Sequence, residues 1–275
     1  MTTETQTAIE PHNQKASLTW SSPGAHYDEI SRGIADSIDH CVLRLGPRPS
    51  ERILDIACGT GWASRAVYAA APGASVVGVD IAGDLLAAAQ AKAAAQGLGI
   101  EYCLGDAERL PFESASFDAV ISTCGIMFAA KQEAAAQELA RVTRPGGRFG
   151  ITTWTPDSTL AELFAVMKAY LPPPPSPAPA SPFAWGRRER VQELLGASFE
   201  LRFEEGTSWA RAASAEAAWE FWSRSYGPIR TLAANLDDER RHAFRRDMLA
   251  FWERFRTELG INQARQYLVA IGVRR

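Results

Sequence analysis

The sequence predicts an α/β fold, a mostly parallel sheet with helices on both faces, and three observations lead to it. Apolar runs of strand length alternate with segments of helical spacing between residues 52 and 154. A turn carrying Gly59 and Gly61 joins the first such run to the helix that follows it. Aspartates stand at or just past the ends of three successive runs, as Asp55, Asp80 and Asp106. Ligands of open α/β sheets bind outside the carboxyl ends of the strands, so these turns are where chemistry is sought.

Taken in order, the polar start MTTETQTAIEPHNQKAS carries no apolar stretch and is expected to fray, giving a flexible tail over 1–19. From Tyr27, the apolar residues Ile30, Ile34, Ile38, Val42 and Leu45 recur at helical spacing until GPRPS interrupts them. Strands follow at RILDIA and VVGVD with a helix between them, then an Ala-rich helix from Gly83 to near Gly97. Two further strands, IEYCL and FDAVIS, lead to a helix ending in ELARVTRPGG and to the strand RFGITTW. This rhythm defines a core over 20–155.

Beyond Trp154 the pattern changes. The stretch LPPPPSPAPASP (171–182) lacks the donors for regular structure and reads as an extended connector. After it come a helix at RERVQELLG, a strand at SFELRFEEGTSW, helices over 214–225 and 236–259, and a closing strand QYLVAIGVRR. In the second of those helices Phe244, Met248, Trp252, Phe255 and Leu259 share one stripe. Residues 156–275 thus hold the connector, the remaining core strands and an inserted helical cap.

Composition narrows the function. A hydrophobic share of 46% beside 22% charged residues describes a folded globular chain. A net charge of −3 without a basic stripe argues against nucleic acid as a partner. Cys41, Cys58, Cys103 and Cys124 are scattered singly, without metal-ligand or disulfide spacing, so no metal is expected and a reducing cytoplasm fits. No window approaches the roughly 20 apolar residues of a membrane span.

The glycine turn alone is compatible with a purely structural role or with a dinucleotide. Asp55, four residues before Gly59, favours a zwitterionic ligand, since a carboxylate there repels pyrophosphate and attracts an ammonium. Asp80 sits where a carboxylate accepts from ribose hydroxyls, and it is equally a helix N-cap. Asp106 suits an exocyclic amino group, and Gly-Asp is also common turn chemistry.

Taken together, ILDIACGTGWAS, VVGVDIAGDLL, GDAERLPFESASFDAVIS and ELARVTRPGGRF resemble the ordered motifs of class I S-adenosylmethionine-dependent methyltransferases, in the branch that includes the ubiquinone and menaquinone biosynthesis enzymes. The resemblance covers about residues 20–155. It implies a Rossmann-like, seven-stranded sheet whose last strand runs antiparallel, and S-adenosylmethionine as methyl donor with S-adenosylhomocysteine as product. It also implies that Asp55, Gly59 and Gly61 meet the methionine portion, that Asp80 and Ile81 meet the ribose and adenine, and that Ala57 belongs to the same donor site. Asp106 and Ala107 would meet the adenine edge, Ser122 and Thr123 would lie beneath the sulfonium, and Tyr27, less surely Trp20, would pack on the donor. Where many relatives carry a histidine-containing stretch after the fourth strand, this chain has Cys124-Gly125-Ile126-Met127-Phe128, which removes an obvious local base. Cys124 reads as a small buried hydrophobe.

Six of the eight tryptophans, Trp154, Trp185, Trp209, Trp219, Trp222 and Trp252, lie at or beyond the end of the core. The cap is therefore aromatic and suits a small hydrophobic or aromatic acceptor, although a cation–π cage for an amine fits the same residues. By residue type, His26, Tyr226 and His242 are candidate bases. The competing functions are a non-catalytic donor-binding sensor or scaffold and an NAD-type oxidoreductase.

Overall fold

The computed structural model describes residues 9–173 and 179–275. Eleven α-helices, four 3₁₀ turns and eight strands form within those residues. The helices are α1 (Gln14–Ser21), α2 (Tyr27–Arg32), α3 (Ala35–Leu45), α4 (Trp62–Ala70), α5 (Gly83–Ala95), α6 (Gln132–Val142), α7 (Thr159–Lys168), α8 (Arg188–Leu195), α9 (Ala215–Ser225), α10 (Gly227–Asn235) and α11 (Asp238–Glu253). The strands are β1 (Arg52–Ile56), β2 (Ser75–Asp80), β3 (Glu101–Leu104), β4 (Phe117–Thr123), β5 (Thr143–Trp154), β6 (Phe199–Ala212), β7 (Arg256–Thr257) and β8 (Gly260–Arg274).

The strands form one sheet in the order β3-β2-β1-β4-β5-β8-β6, with β7 paired to β8. The first five are parallel, and β8 runs antiparallel to both β5 and β6. From β1 the chain winds outward through β2 and β3, then returns to β4 and winds the other way. Right-handed crossovers in opposite directions place their helices on opposite faces. Accordingly α3 packs on α4, while α6 packs on α8. Ile53, Leu54, Ile56, Ala119, Val120, Ile121, Phe149 and Ile151 are buried, as central parallel strands with both faces covered require.

This is the expected mostly parallel α/β sheet with an antiparallel final strand, and its eighth member is only the two-residue β7. The helix read over 236–259 ends at Glu253 instead. The chain turns back through Thr257, whose hydroxyl donates to the Gly260 carbonyl and accepts from the Leu259 amide, and Gly260 takes φ +104°. Leu259 therefore leaves the apolar stripe and is 97% exposed, whereas Phe244, Met248 and Trp252 stay buried on it. The single helix read from Tyr27 is two, broken at Gly33 and Ile34. A further helix, α10, opens at Gly227-Pro228, where proline's fixed φ suits a first turn.

The tail expected over 1–19 is folded from Pro11 onward; residues 1–8 lie outside the described residues. A 3₁₀ turn at Pro11–Asn13 leads into α1, which packs on α5 and α10. Tertiary contacts hold it, not helix propensity: the Ser17 hydroxyl donates to the Ile81 carbonyl at 2.8 Å. Of the proline-rich connector, 174–178 lie outside the described residues, and Pro182–Gly186 form a 3₁₀ turn. No described helix is long and apolar enough to cross a membrane.

A Cβ on Gly227 would stand 2.2 Å from the Thr19 carbonyl oxygen. Gly227→Ala is thus expected to destabilise the protein by about 1–3 kcal/mol through overpacking. Urea unfolding reads this, and a variant as stable as the parent would remove α10 as the support of α1.

Candidate functional site

The site begins where β1 and β4 lie side by side and their crossovers depart in opposite directions. Both chains leave the sheet in left-handed conformations at residues that are not glycine, Ala57 at φ +55° and Cys124 at φ +54°. Such strain persists where the surroundings enforce it. Here Ser122 staples the two strand ends, its hydroxyl donating to the Ile56 carbonyl (2.7 Å) and accepting from the Ile126 amide (3.0 Å). The Cys124 amide donates to the Thr152 carbonyl at 2.7 Å, tying the same turn to β5.

The turn after β1 is held by two buried carboxylates. Asp80, ending β2, accepts from the Gly59 amide (2.7 Å) and the Ala82 amide (2.8 Å). Asp55 accepts from the Ser64 hydroxyl at 2.6 Å, while its other oxygen has no partner among the described residues. Gly61 sits at φ +74°, and a Cβ there would stand 2.3 Å from the Tyr102 hydroxyl, so only glycine closes this turn. Burial pushes Asp55 up to about 7 and Asp80 up to about 6, with the charge of Asp80 adding to the rise at Asp55.

After β3, Asp106 accepts from the Glu108 amide (2.9 Å) and also from the Asn13 side-chain amide (2.9 Å) and the Glu10 amide (3.1 Å). The segment before α1 thereby closes over the sheet edge. Between these turns and α1 lies a cleft of about 80 Å³. Of the residues singled out from sequence, Tyr27, Ala57, Gly59, Asp80, Ile81, Asp106 and Ala107 line it. Asp55, Gly61, Ser122 and Thr123 do not; the first and third act from behind the loops. Asn13, Ala16, Leu85, Cys124 and Phe128 line it too, as does Trp20.

A second cavity, of about 390 Å³, adjoins the first and shares Tyr27, Cys124 and Phe128 with it. Its walls come from α2, β5, α7, β6, α9 and β8, and Trp154, Phe164, Phe221 and Trp222 make it largely apolar. At the junction Trp20 packs on Phe128 (centroids 4.9 Å apart), Tyr226 (5.6 Å) and Tyr27 (6.1 Å), joining α1 to the inserted helices. Among the candidate bases, only Tyr226 reaches a cavity. His26 pairs with Glu29 at the surface, and exposed His242 bonds the Asp238 carbonyl of its own helix. Burial raises the Tyr27, Tyr226 and Cys124 hydroxyls and thiol well above their ordinary ranges, so all three stay protonated at neutral pH. Cys124 is a buried thiol, as the sequence reading has it, and it also forms part of both cavity walls. Asn13 and Ala16 carried no periodic signal; Phe128 lay in the turn where the chain departs from its relatives.

A switch-point crevice lined by Asp80 and Asp106, with Asp55 behind its glycine turn and an apolar chamber beside it, lies where open α/β sheets bind their ligands. Comparison with known proteins gives the chain a family. Residues 53–147 match the model of a methyltransferase domain. An uncharacterized protein of Mycobacterium tuberculosis is 38% identical over 199 residues, 72% of each chain. The demethylmenaquinone methyltransferase of Thermus thermophilus is 44% identical over 106 residues, 38% of this chain and 48% of that one. Among solved structures, the Haemonchus contortus phosphoethanolamine N-methyltransferase 2 complex with S-adenosylhomocysteine shares the fold with a TM-score of 0.55 at 21% identity, over 86% of this chain and 52% of that one. The chain belongs to the class I S-adenosylmethionine-dependent methyltransferases, and S-adenosylmethionine is its methyl donor.

Because the folded protein keeps protons on Asp55 and Asp80 that the unfolded chain releases near pH 4, the native state binds more protons through this window. Stability of the ligand-free protein is therefore expected to fall as pH rises from about 4 to 7. Asp55→Asn, which keeps the acceptor for Ser64, should flatten that fall. Urea midpoints across pH 4–8 check it, and an unchanged slope would deny Asp55 its raised pKa.

Proposed function

We propose that the cleft holds the donor and the adjoining cavity a small, largely apolar acceptor, with methyl transfer across their shared wall. The observation that carries this reading is the sharing of Tyr27, Cys124 and Phe128 by both cavities. The cleft fits the donor's chemistry. Asp80 keeps acceptor capacity for ribose hydroxyls beyond its two amide bonds, and Asp106, which accepts from Glu108, Asn13 and Glu10, becomes available to the adenine amino group when the segment before α1 moves. Asp55, buried with one oxygen unpartnered, supplies negative potential behind the glycine turn for the donor's ammonium and sulfonium. The cleft is narrow because α1 covers it, so donor entry requires α1 and the segment before it to move.

The donor supplies an electrophilic methyl on a sulfonium. An acceptor lone pair forms the new bond to that carbon in line with the breaking C–S bond, whose electrons go to sulfur. The protein's part is placement and exclusion of water by the aromatic junction. Tyr27, Tyr226 and Cys124, held protonated, donate or pack and do not take a proton.

Asp80→Ala is expected to weaken S-adenosylhomocysteine binding by about 1–3 kcal/mol, roughly 5- to 150-fold, since ribose hydroxyls lose a charged acceptor and Gly59 its anchor. Calorimetric titration of the folded variant reads it; unchanged affinity would remove Asp80 from the donor site. The donor's positive charges favour ionised Asp55 and Asp80, so S-adenosylmethionine should bind more tightly as pH rises from 5.5 to 8 and should release protons near pH 6.5. Titrations in two buffers of different ionisation enthalpy measure that release, and none at all would place the ligand away from both carboxylates.

A further inference from the structure

The larger cavity is not simply apolar. Arg265, on β8, lines it and is 3% exposed. One terminal nitrogen donates to the Gly33 carbonyl (2.6 Å) and the Ser208 hydroxyl (2.9 Å), and its Nε has no partner among the described residues. No carboxylate oxygen lies within 4.0 Å of this guanidinium among those residues. Asp36 reaches it only through Ser208, whose hydroxyl donates to that carboxylate at 2.8 Å. Burial draws Arg265 down to about 10, so it remains charged at neutral pH. Asp36, acting across Ser208, compensates this buried charge only in part, and a buried cation without a directly paired carboxylate can receive a counter-charge from a ligand.

Gln263, two residues earlier on the same face of β8, also lines the cavity; its amide donates to the Thr159 hydroxyl (2.9 Å), and its unpartnered carbonyl oxygen calls for a donor on the ligand separate from any carboxylate. The charge of the surrounding wall points the same way as Arg265. Exposed Arg32 and Arg211 stand in the cavity wall without a carboxylate within 4.0 Å among the described residues. The single carboxylate there, Glu29, is already engaged by Arg224 at 2.6 Å and by His26. The wall thus carries three guanidinium groups against one neutralised carboxylate, which disfavours a cationic amine in the aromatic chamber.

We propose that the acceptor is a small apolar acid whose carboxylate is received by Arg265, so that this arginine sets acceptor specificity. The proposal rests on the larger cavity being the acceptor site. The guanidinium offers donors in a planar fork suited to a carboxylate, and the aromatic walls take the apolar body. Trp154, its ring 5.5 Å from the guanidinium carbon, holds the fork in place from one side.

The test uses two matched sets of probes on the full chain saturated with S-adenosylhomocysteine: 4-phenylbutyrate, 4-phenylbutanamide and 4-phenylbutylamine, and octanoate, octanamide and octylamine. In calorimetry the parent protein should bind a carboxylate at least about 10-fold more tightly than its amide, with the amine weakest. Arg265→Gln should lose that preference while S-adenosylhomocysteine affinity stays as in the parent, and Arg265→Lys should keep part of it. Equal binding of acid and amide by the parent, tighter binding of an amine, or binding of no probe overturns the proposal without any variant. A preference retained in Arg265→Gln also overturns it. Absence of S-adenosylhomocysteine binding in the parent is a different failure, that of the donor cleft itself.

Discussion

The junction between β1 and β4 is the constraint from which the rest of the site follows. Two adjacent parallel strands whose crossovers leave in opposite directions cannot have their ends covered by the same helix, so a crevice opens there. Closing the turns on either side forces Ala57 and Cys124 into left-handed backbone, and Ser122 bonds across the gap to keep them there. The cleft and the larger cavity meet at this junction because Cys124 belongs to the walls of both.

Buried charge gives the crevice its selectivity. Asp55 and Asp80 are both screened from water, and the charge of Asp80 adds to the rise at Asp55, so their ionisation is unfavourable without a positive charge nearby. A pyrophosphate would meet the opposite potential. On the far side of the junction the sign reverses, with Arg265 buried and linked to Asp36 only through Ser208. In the proposed arrangement one end of the paired cavities receives cationic centres and the other an anion, with the aromatic cluster around Trp20 between them.

Much of this was legible in the sequence because it depends on short-range rules. The strands around RILDIA and VVGVD, the glycine turn and the aspartates at the strand ends are local signals, and Asp80, Asp106, Ala57 and Gly59 all fall on the cleft. What escaped depends on contacts distant in sequence. Asn13 looks like part of a polar tail until it bonds Asp106, 93 residues away. Leu259 continues a helical stripe on paper, yet the Thr257 to Gly260 hairpin ends the helix first. Gln263, Arg265 and Tyr267 alternate on the buried side of β8, a period-two signal available in the sequence. A closing strand that starts at Gln266, as QYLVAIGVRR does, leaves Gln263 and Arg265 outside that alternation.

Calorimetric titration of the full chain with S-adenosylhomocysteine and, separately, with NAD tests the assignment of the donor to the crevice at the β1–β4 junction. One S-adenosylhomocysteine is expected to bind per chain in the micromolar range, and NAD not at all. Binding of NAD without S-adenosylhomocysteine, or of neither, would contradict that assignment.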